Sequence, residues 1–411
     1  MRKILGQLLL FSVFLYSCSN EDLVPIENGN EESQSVELRT ESEAIDIAIN
    51  ALNEFYPIKS RSSRDLSQMN VVMLKESLSR STETNNPLYV VNFGNDSGYA
   101  IVSASKDVEP LLAITESGSI ASIDKIDNPG LALFVESALK LEKDTTALVP
   151  KPGIGGLEPV DVWRNDTVFH VNTKVEPRVE VNWGQTYPEG LLCPNGVCGC
   201  VATAGAQALS YFEDPKELTL TFPERNADLI QLDWKNMKTI NSTPYYKPTG
   251  PYDLLLASLC REIGFSINAV YYNYGSVSIN QTGAATSALR TYIRSILPNS
   301  SYSVSEMISD NPKTNSVLGN GIIVIRGESE GAGHAWILDG YIYKQYTVYV
   351  YCGKLNSPIE YLERQFDKTD LYSHANWGWN GKDNGYFYNN VFVVSNYKFR
   401  TNIAYFTIKT K

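Results

Sequence analysis

Apolar residues fall at helical spacing soon after residue 40. Thr40-Glu41-Ser42-Glu43 has the form of a capping box, and Ile45, Ala48, Ile49, Leu52 and Phe55 follow on one face, which predicts a helix to about Tyr56 before Pro57 stops it. Residues 60–86 are polar and rich in Ser and Arg, a loop pattern around one short β-rich run at 70–74. Two further β-rich runs, 88–93 and 99–104, flank Gly94-Asn95-Asp96-Ser97-Gly98 and predict a hairpin. Residues 111–115 add a strand, and 130–143 read as a second helix with Leu131, Phe134, Val135, Ala138 and Leu139 on one side. These elements make a small α+β unit of about a hundred residues.

A Pro/Gly cluster then runs from Pro150 to Pro159 and sustains neither a helix nor a central strand, so it marks the domain boundary. From about Val175 the chain is rich in Tyr, Asn and Gly, with an early helix after Gly199, another near 252–263, and strands toward the end. The predicted fold class is therefore α+β. The predicted organisation is a signal segment at 1–17, an acidic tether at 18–38, a first domain at 39–145, a linker at 146–175 and a second domain at 176–411.

Composition narrows the function classes. The chain has 411 residues, 43% of them hydrophobic and 20% charged, which is globular and excludes collagen-like or wholly disordered structure. A net charge of −11 excludes nucleic acid as the main partner, because phosphate binding needs a basic footprint. At the N-terminus, Arg2 and Lys3 lead an apolar stretch at 4–16 that is too short to span a bilayer. Its end, Leu15-Tyr16-Ser17-Cys18, resembles the lipobox of bacterial lipoproteins. That resemblance implies acylation of Cys18 and membrane attachment through the lipid; an ordinary cysteine beside a cleavage site is the alternative. Ser19-Asn20-Glu21-Asp22 is similar to the acidic signal that sends some lipoproteins to the outer face of the outer membrane. An acidic run from Glu21 to Asp46, opposed by the single base Arg39, reads as a solvated tether at its start. The expected location is thus the cell surface.

Six cysteines occur, at 18, 193, 198, 200, 260 and 352; with Cys18 lipidated, an odd number remains and at least one thiol stays free. Only three histidines are available to serve as a base: His170, in the linker, His334 and His374. Cys200 opens the Ala-rich helix, where the helix dipole and a nearby imidazolium would favour thiolate. A buried cysteine, or a disulfide with Cys193 or Cys198, is the alternative. Gly331-Ala332-Gly333-His334 places an imidazole at the start of a β run, and His374-Ala375-Asn376-Trp377-Gly378-Trp379 offers an amide and two indoles to orient it. The order is nucleophile, base roughly 130 residues later, then amide, which is the papain-type arrangement. The Cys193, Cys198, Cys200 cluster lacks the paired spacing of structural zinc sites.

Gly199-Cys200-Val201-Ala202-Thr203-Ala204, His334-Ala335-Trp336-Ile337-Leu338-Asp339-Gly340-Tyr341 and Asn376-Trp377-Gly378-Trp379 resemble the three signatures of the streptopain family of secreted papain-like cysteine peptidases. Val181-Asn182-Trp183-Gly184-Gln185 and Cys193-Pro194 are similar to weaker family features, and 42–114 resembles the family's inhibitory propeptide. The resemblance implies a zymogen: a prodomain that blocks the cleft, a linker cut on activation, and a two-lobed papain-like peptidase domain. It implies Cys200 as nucleophile and His334 as general base and acid. Asn376 or Trp377 orients His334, and Gln185 joins the Cys200 N–H in the oxyanion hole. No cofactor is required. The implied partners are protein or peptide substrates and the chain's own prodomain. Two other classes fit the same residues: a surface binding protein on an inactive peptidase scaffold, and another Cys-His acyl-transfer enzyme.

Overall fold

The computed structural model describes residues 37–56, 64, 66–75, 86–141, 162–225, 227–240, 250–277, 280–309, 313–329, 332–353, 360–393 and 403–411. Cys18, the acidic segment up to residue 36 and the Pro150 to Pro159 cluster lie outside them.

The first helix, α1 (Glu41–Phe55), opens on the expected capping box: the Glu43 N–H donates to Thr40 Oγ1 at 3.2 Å and the Thr40 N–H to Glu43 Oε2 at 2.6 Å. Its buried stripe, Ala44, Ala48, Ala51, Leu52 and Phe55, packs on an antiparallel sheet of β1 (Asn70–Leu74), β2 (Leu88–Asn92), β3 (Tyr99–Ser103) and β4 (Leu111–Thr115). The β2–β3 turn needs four residues at positive φ, namely Gly94, Asn95, Asp96 and Gly98. Helix α2 (Pro129–Leu139) starts with Pro at its first turn and with the Asn128 carboxamide oxygen accepting from the Gly130 and Leu131 N–H groups.

The second half begins with β5 (Val162–Val175), then α3 (Cys200–Phe212), β6 (Glu217–Leu220), β7 (Asp228–Gln231), α4 (Trp234–Met237), α5 (Pro251–Ser266), β8 (Val270–Tyr272), β9 (Gln281–Gly283) and α6 (Thr286–Ile296). It closes with β10 (Tyr302–Val304), α7 (Thr314–Val317), β11 (Gly321–Ser329), β12 (Ala332–Gly353), β13 (Glu360–Asn376), β14 (Gly385–Tyr388) and β15 (Ala404–Thr410). Two features differ from the sequence reading. The C-terminal half of the expected linker is not a linker: residues 162–175 form a strand paired with β12 from Gly353 back to Tyr341. And the two halves are not separate cores. β4 pairs with β14, so among the described residues one 11-stranded sheet runs in the order β1-β2-β3-β4-β14-β13-β12-β11-β15-β10, with β5 beside β12.

The run Ile322-Ile323-Val324-Ile325 shows why this sheet can be shared. Ile323 and Ile325, with Trp336 and Leu338 of β12, join a core with α1 and α2; Ile322 and Val324, with Ala335 and Ile337, join a second core with α3, α5 and α6. Apolar side chains on both faces are what a strand buried between two layers requires. At the seam, four acids of the first half each meet a base of the second: Glu54 with Lys344 at 2.6 Å, Glu109 with Lys368, Glu116 with His374 at 3.5 Å and Asp127 with Lys382 at 2.9 Å.

Gly385 makes the β4–β14 ladder possible, since a Cβ there would sit 2.3 Å from the Ile114 carbonyl oxygen and 2.6 Å from the Thr115 Cα. Gly385→Val is expected to open this pairing and lower stability by about 1–3 kcal/mol, the scale of an overpacked site. Hydrogen exchange at 113–115 and a thermal melt read both effects, and unchanged protection there would refute the assignment.

Candidate active site

The loop before α3 is fixed by Asn195, 5% exposed, whose carboxamide donates to the Tyr272 carbonyl at 3.0 Å, the Gln281 carbonyl at 2.8 Å and Thr282 Oγ1 at 3.1 Å. Gly199 then turns at φ +87°, where a Cβ would meet the Thr282 carbonyl oxygen at 2.8 Å. Only glycine satisfies both demands, and it delivers Cys200 to the first position of α3. Thr203 Oγ1 donates to the Gly184 carbonyl at 2.9 Å and ties that helix turn to the Trp183-Gly184 segment.

Cys200 is half-buried, whereas Cys193, Cys198 and Cys260 are buried; all four are free thiols, so the disulfide of Cys200 with Cys193 or Cys198 is not formed. Burial pushes the Cys200 thiol up, against the pull of the Ala335, Val201 and Cys200 N–H groups, while the neighbouring Cys198 adds to the rise. The expectation that this position favours thiolate does not hold in the closed chain: the helix N-terminus is present, but desolvation outweighs it.

His334 projects from β12 opposite Gly327, 3% exposed, with its Nε2 2.8 Å from the Trp377 carbonyl oxygen. A carbonyl only accepts, so that contact assigns the proton to Nε2 and leaves Nδ1 as the basic atom. Trp336 stacks beside the ring at 6.1 Å and Trp379 meets it edge-on at 5.9 Å. Burial lowers the imidazole to about 4, partly opposed by the Trp377 carbonyl. Part of that burial comes from α2. A Cβ on Gly130 would lie 2.4 Å from the Trp377 ring and 2.8 Å from His334 Cδ2, so the start of this helix rests on both. Asn128, just before it, donates to Asp383 Oδ2 at 3.4 Å.

The orienting group is thus a backbone atom of Trp377; the indole itself donates to the Asp383 carbonyl at 3.0 Å. Asn376 is engaged elsewhere: its amide donates to the Val181 carbonyl at 2.9 Å and its Oδ1 accepts from Gln207 at 3.0 Å and the Gly378 N–H at 3.3 Å. The Gln185 carbonyl accepts from the Cys198 N–H at 2.8 Å, which sets this residue alongside the cysteine loop, while its half-buried side chain takes no part in lining the cleft. That cleft, of about 430 Å³, has Cys200 and His334 in its walls with Thr282, Gly283, Ala284, Arg326 and Glu328. Among the described residues its lining comes from the second half of the chain, while the start of α2, in the first half, rests on His334.

His374 and Asp339 form a buried ion pair that no local pattern in the chain announces. His374 Nδ1 lies 2.6 Å from Asp339 Oδ1, and Asp339, fully buried, also accepts from the Arg178 and Val179 N–H groups. Burial alone would lower His374, but Asp339 and then Glu116 hold it at about 10. His170 lies away from the cleft, its Nε2 2.6 Å from Thr347 Oγ1.

The Peptidase C10 family profile matches residues 181–387, and that of the Spi protease inhibitor matches residues 36–140. Streptopain of Streptococcus pyogenes serotype M28 is 25% identical over 385 residues, covering 85% of this chain and 84% of its own. The thiol protease/hemagglutinin PrtT of Porphyromonas gingivalis is 23% identical over 336 residues, covering 74% of this chain and 34% of its own. Among solved structures, a fragment of Prevotella intermedia prointerpain A matches at a TM-score of 0.49 and 20% identity, over 82% of this chain and 98% of that one.

Two outcomes follow for the closed chain. The His334 contribution to stability is present above the ordinary value of 6.5 and lost as pH falls toward about 4, whereas that of His374 is complete below 6.5 and lost as pH rises through about 10. Histidine NMR titration reads both, and a His334 midpoint near 6.5 would contradict its burial. Asn376→Ala is expected to cost about 1–3 kcal/mol through the partners it strands, with the His334 titration unmoved; a shifted midpoint would show that the amide acts on the imidazole.

Proposed function

The chain belongs to the Peptidase C10 family and is a cysteine-type peptidase made with an inhibitory prodomain, and we infer that Cys200 and His334 form its reacting pair. The observation that carries this is a half-exposed thiol at a helix N-terminus and an imidazole with a free Nδ1 in the walls of one cleft. When α2 leaves, His334 regains solvent and its basicity rises, so Nδ1 can take the Cys200 proton. The Sγ thiolate then attacks a peptide carbonyl and forms the C–S bond. The Cys200 N–H, with Gln185 if its side chain swings into the cleft, holds the oxyanion. The imidazolium returns its proton to the leaving amine, the C–N bond breaks, and water activated by Nδ1 hydrolyses the thioester to free acid and thiol.

In this reading the prodomain inhibits by burying the base, and activation follows a cut between the prodomain and β5. The lipid on Cys18 tethers the zymogen at the outer membrane of the exporting cell. Because that anchor and Cys200 lie on opposite sides of the cut, the peptidase leaves while the prodomain stays.

The test is to incubate residues 19–411 and the Cys200→Ala variant side by side, following chain mass, hydrolysis of a peptide substrate and labelling by a thiol-directed epoxide. Wild type is expected to lose its prodomain, cleave peptide and carry the adduct on Cys200, while the variant does none of these and His334→Ala loses at least about a thousandfold in rate. Equal inertness of all three chains after an external protease has removed the prodomain would refute the assignment.

A further inference from the structure

The cleft walls include the small apolar residues Val201, Ala284, Ala335 and Ala404, yet one wall is charged. Arg326 and Glu328 stand two residues apart on β11, opposite Ala335 and Gly333 of β12, so both project to the Cys200 side of the sheet while Gly327 between them faces α2. Gly333 leaves room for the acidic stem, since a Cβ there would lie 3.3 Å from Glu328 Cγ. The guanidinium and the carboxylate form an ion pair whose side chains are 27% and 49% exposed. Peptide hydrolysis by a thiol and an imidazole requires neither charge.

We propose that the Arg326–Glu328 pair is the specificity filter of this cleft, admitting peptides whose pocket-filling side chain is uncharged and rejecting acidic and basic ones alike. The inference rests on the peptidase reading of the same cleft. Each charge of the pair already has its counter-charge. A charged side chain entering beside it sheds water, meets no net opposite charge, and gains a partner only by pulling the pair apart. An uncharged side chain pays little on the alanine-rich walls. Selection of this kind works by penalty against the wrong substrate. It also makes a signed forecast: removing either member leaves the other as an uncompensated charge and turns rejection into preference for the opposite sign.

The experiment uses chains 19–411 with the prodomain removed by an external protease, as wild type, Arg326→Gln, Glu328→Gln and the double variant. A peptide panel differs only at the pocket-filling residue, which is Ile, Gln, Glu or Lys. Hydrolysis is read as kcat/KM, and binding to the same four forms carrying Cys200→Ala is read by fluorescence anisotropy, with thermal melts to confirm folding. Wild type is expected to favour Ile and Gln peptides about tenfold over both charged ones. Glu328→Gln is expected to raise the Glu peptide about tenfold, Arg326→Gln the Lys peptide by a similar factor, and the double variant neither. Folded single variants that keep the wild-type profile overturn the filter and leave the peptidase reading intact. The expected binding profile without any hydrolysis overturns the peptidase reading and keeps the filter.

Discussion

Burial of one strand pair on both faces governs the rest of this molecule. β11 and β12 carry apolar side chains alternately to the α1–α2 core and to the α3–α5–α6 core, so each residue along them belongs to one layer or the other. His334 falls on the layer that contains α2, next to Trp336 and Trp377, while its chain neighbour Ala335 faces the helix of Cys200. The thiol and the imidazole therefore answer to different neighbours. Helix α2, in one layer, buries His334, while Cys200 belongs to the helix of the other.

Desolvation acts on both groups. Both groups are shifted toward their neutral forms while the prodomain is docked, His334 downward and Cys200 upward. The seam that keeps it docked is built on the opposite principle. There His374 stays charged because a buried carboxylate and a prodomain carboxylate flank it, and Glu109, raised to about 6 by burial and by Asp370, is held in check by Lys368. Neutral chemistry at the cleft and ionised contacts at the seam sit within one continuous sheet.

Much of this was legible in the sequence, and the failures have physical causes. The capping box at Thr40, the hairpin around Gly94 to Gly98 and the helix opening at Cys200 are local patterns, and each forms where its residues indicate. The linker reading failed past Val162 because a strand's pairing depends on a partner about 170 residues away, which no local composition reveals. The group bonded to His334 in this structure is the Trp377 carbonyl, which every residue possesses and no sequence singles out. Gly130 looked like an ordinary helix start; its lack of a side chain matters only because Trp377 and His334 lie against it. The charged wall at Arg326 and Glu328 was hidden for a related reason, since in the chain it reads as the polar end of an apolar strand.

The short ladder between β4 and β14 has a further consequence. Three residue pairs, Ala113 with Phe387, Ile114 with Tyr386 and Thr115 with Gly385, complete the hydrogen bonding of a strand that would otherwise end the peptidase's sheet. Departure of the prodomain turns β14 into an open margin with unpaired amide and carbonyl groups, the kind of surface on which chains stick to one another. Its brevity, four residues from Gly385 to Tyr388, limits that hazard. Activation by loss of the prodomain thus exchanges one free sheet edge, the five-residue β1, for another, the four-residue β14.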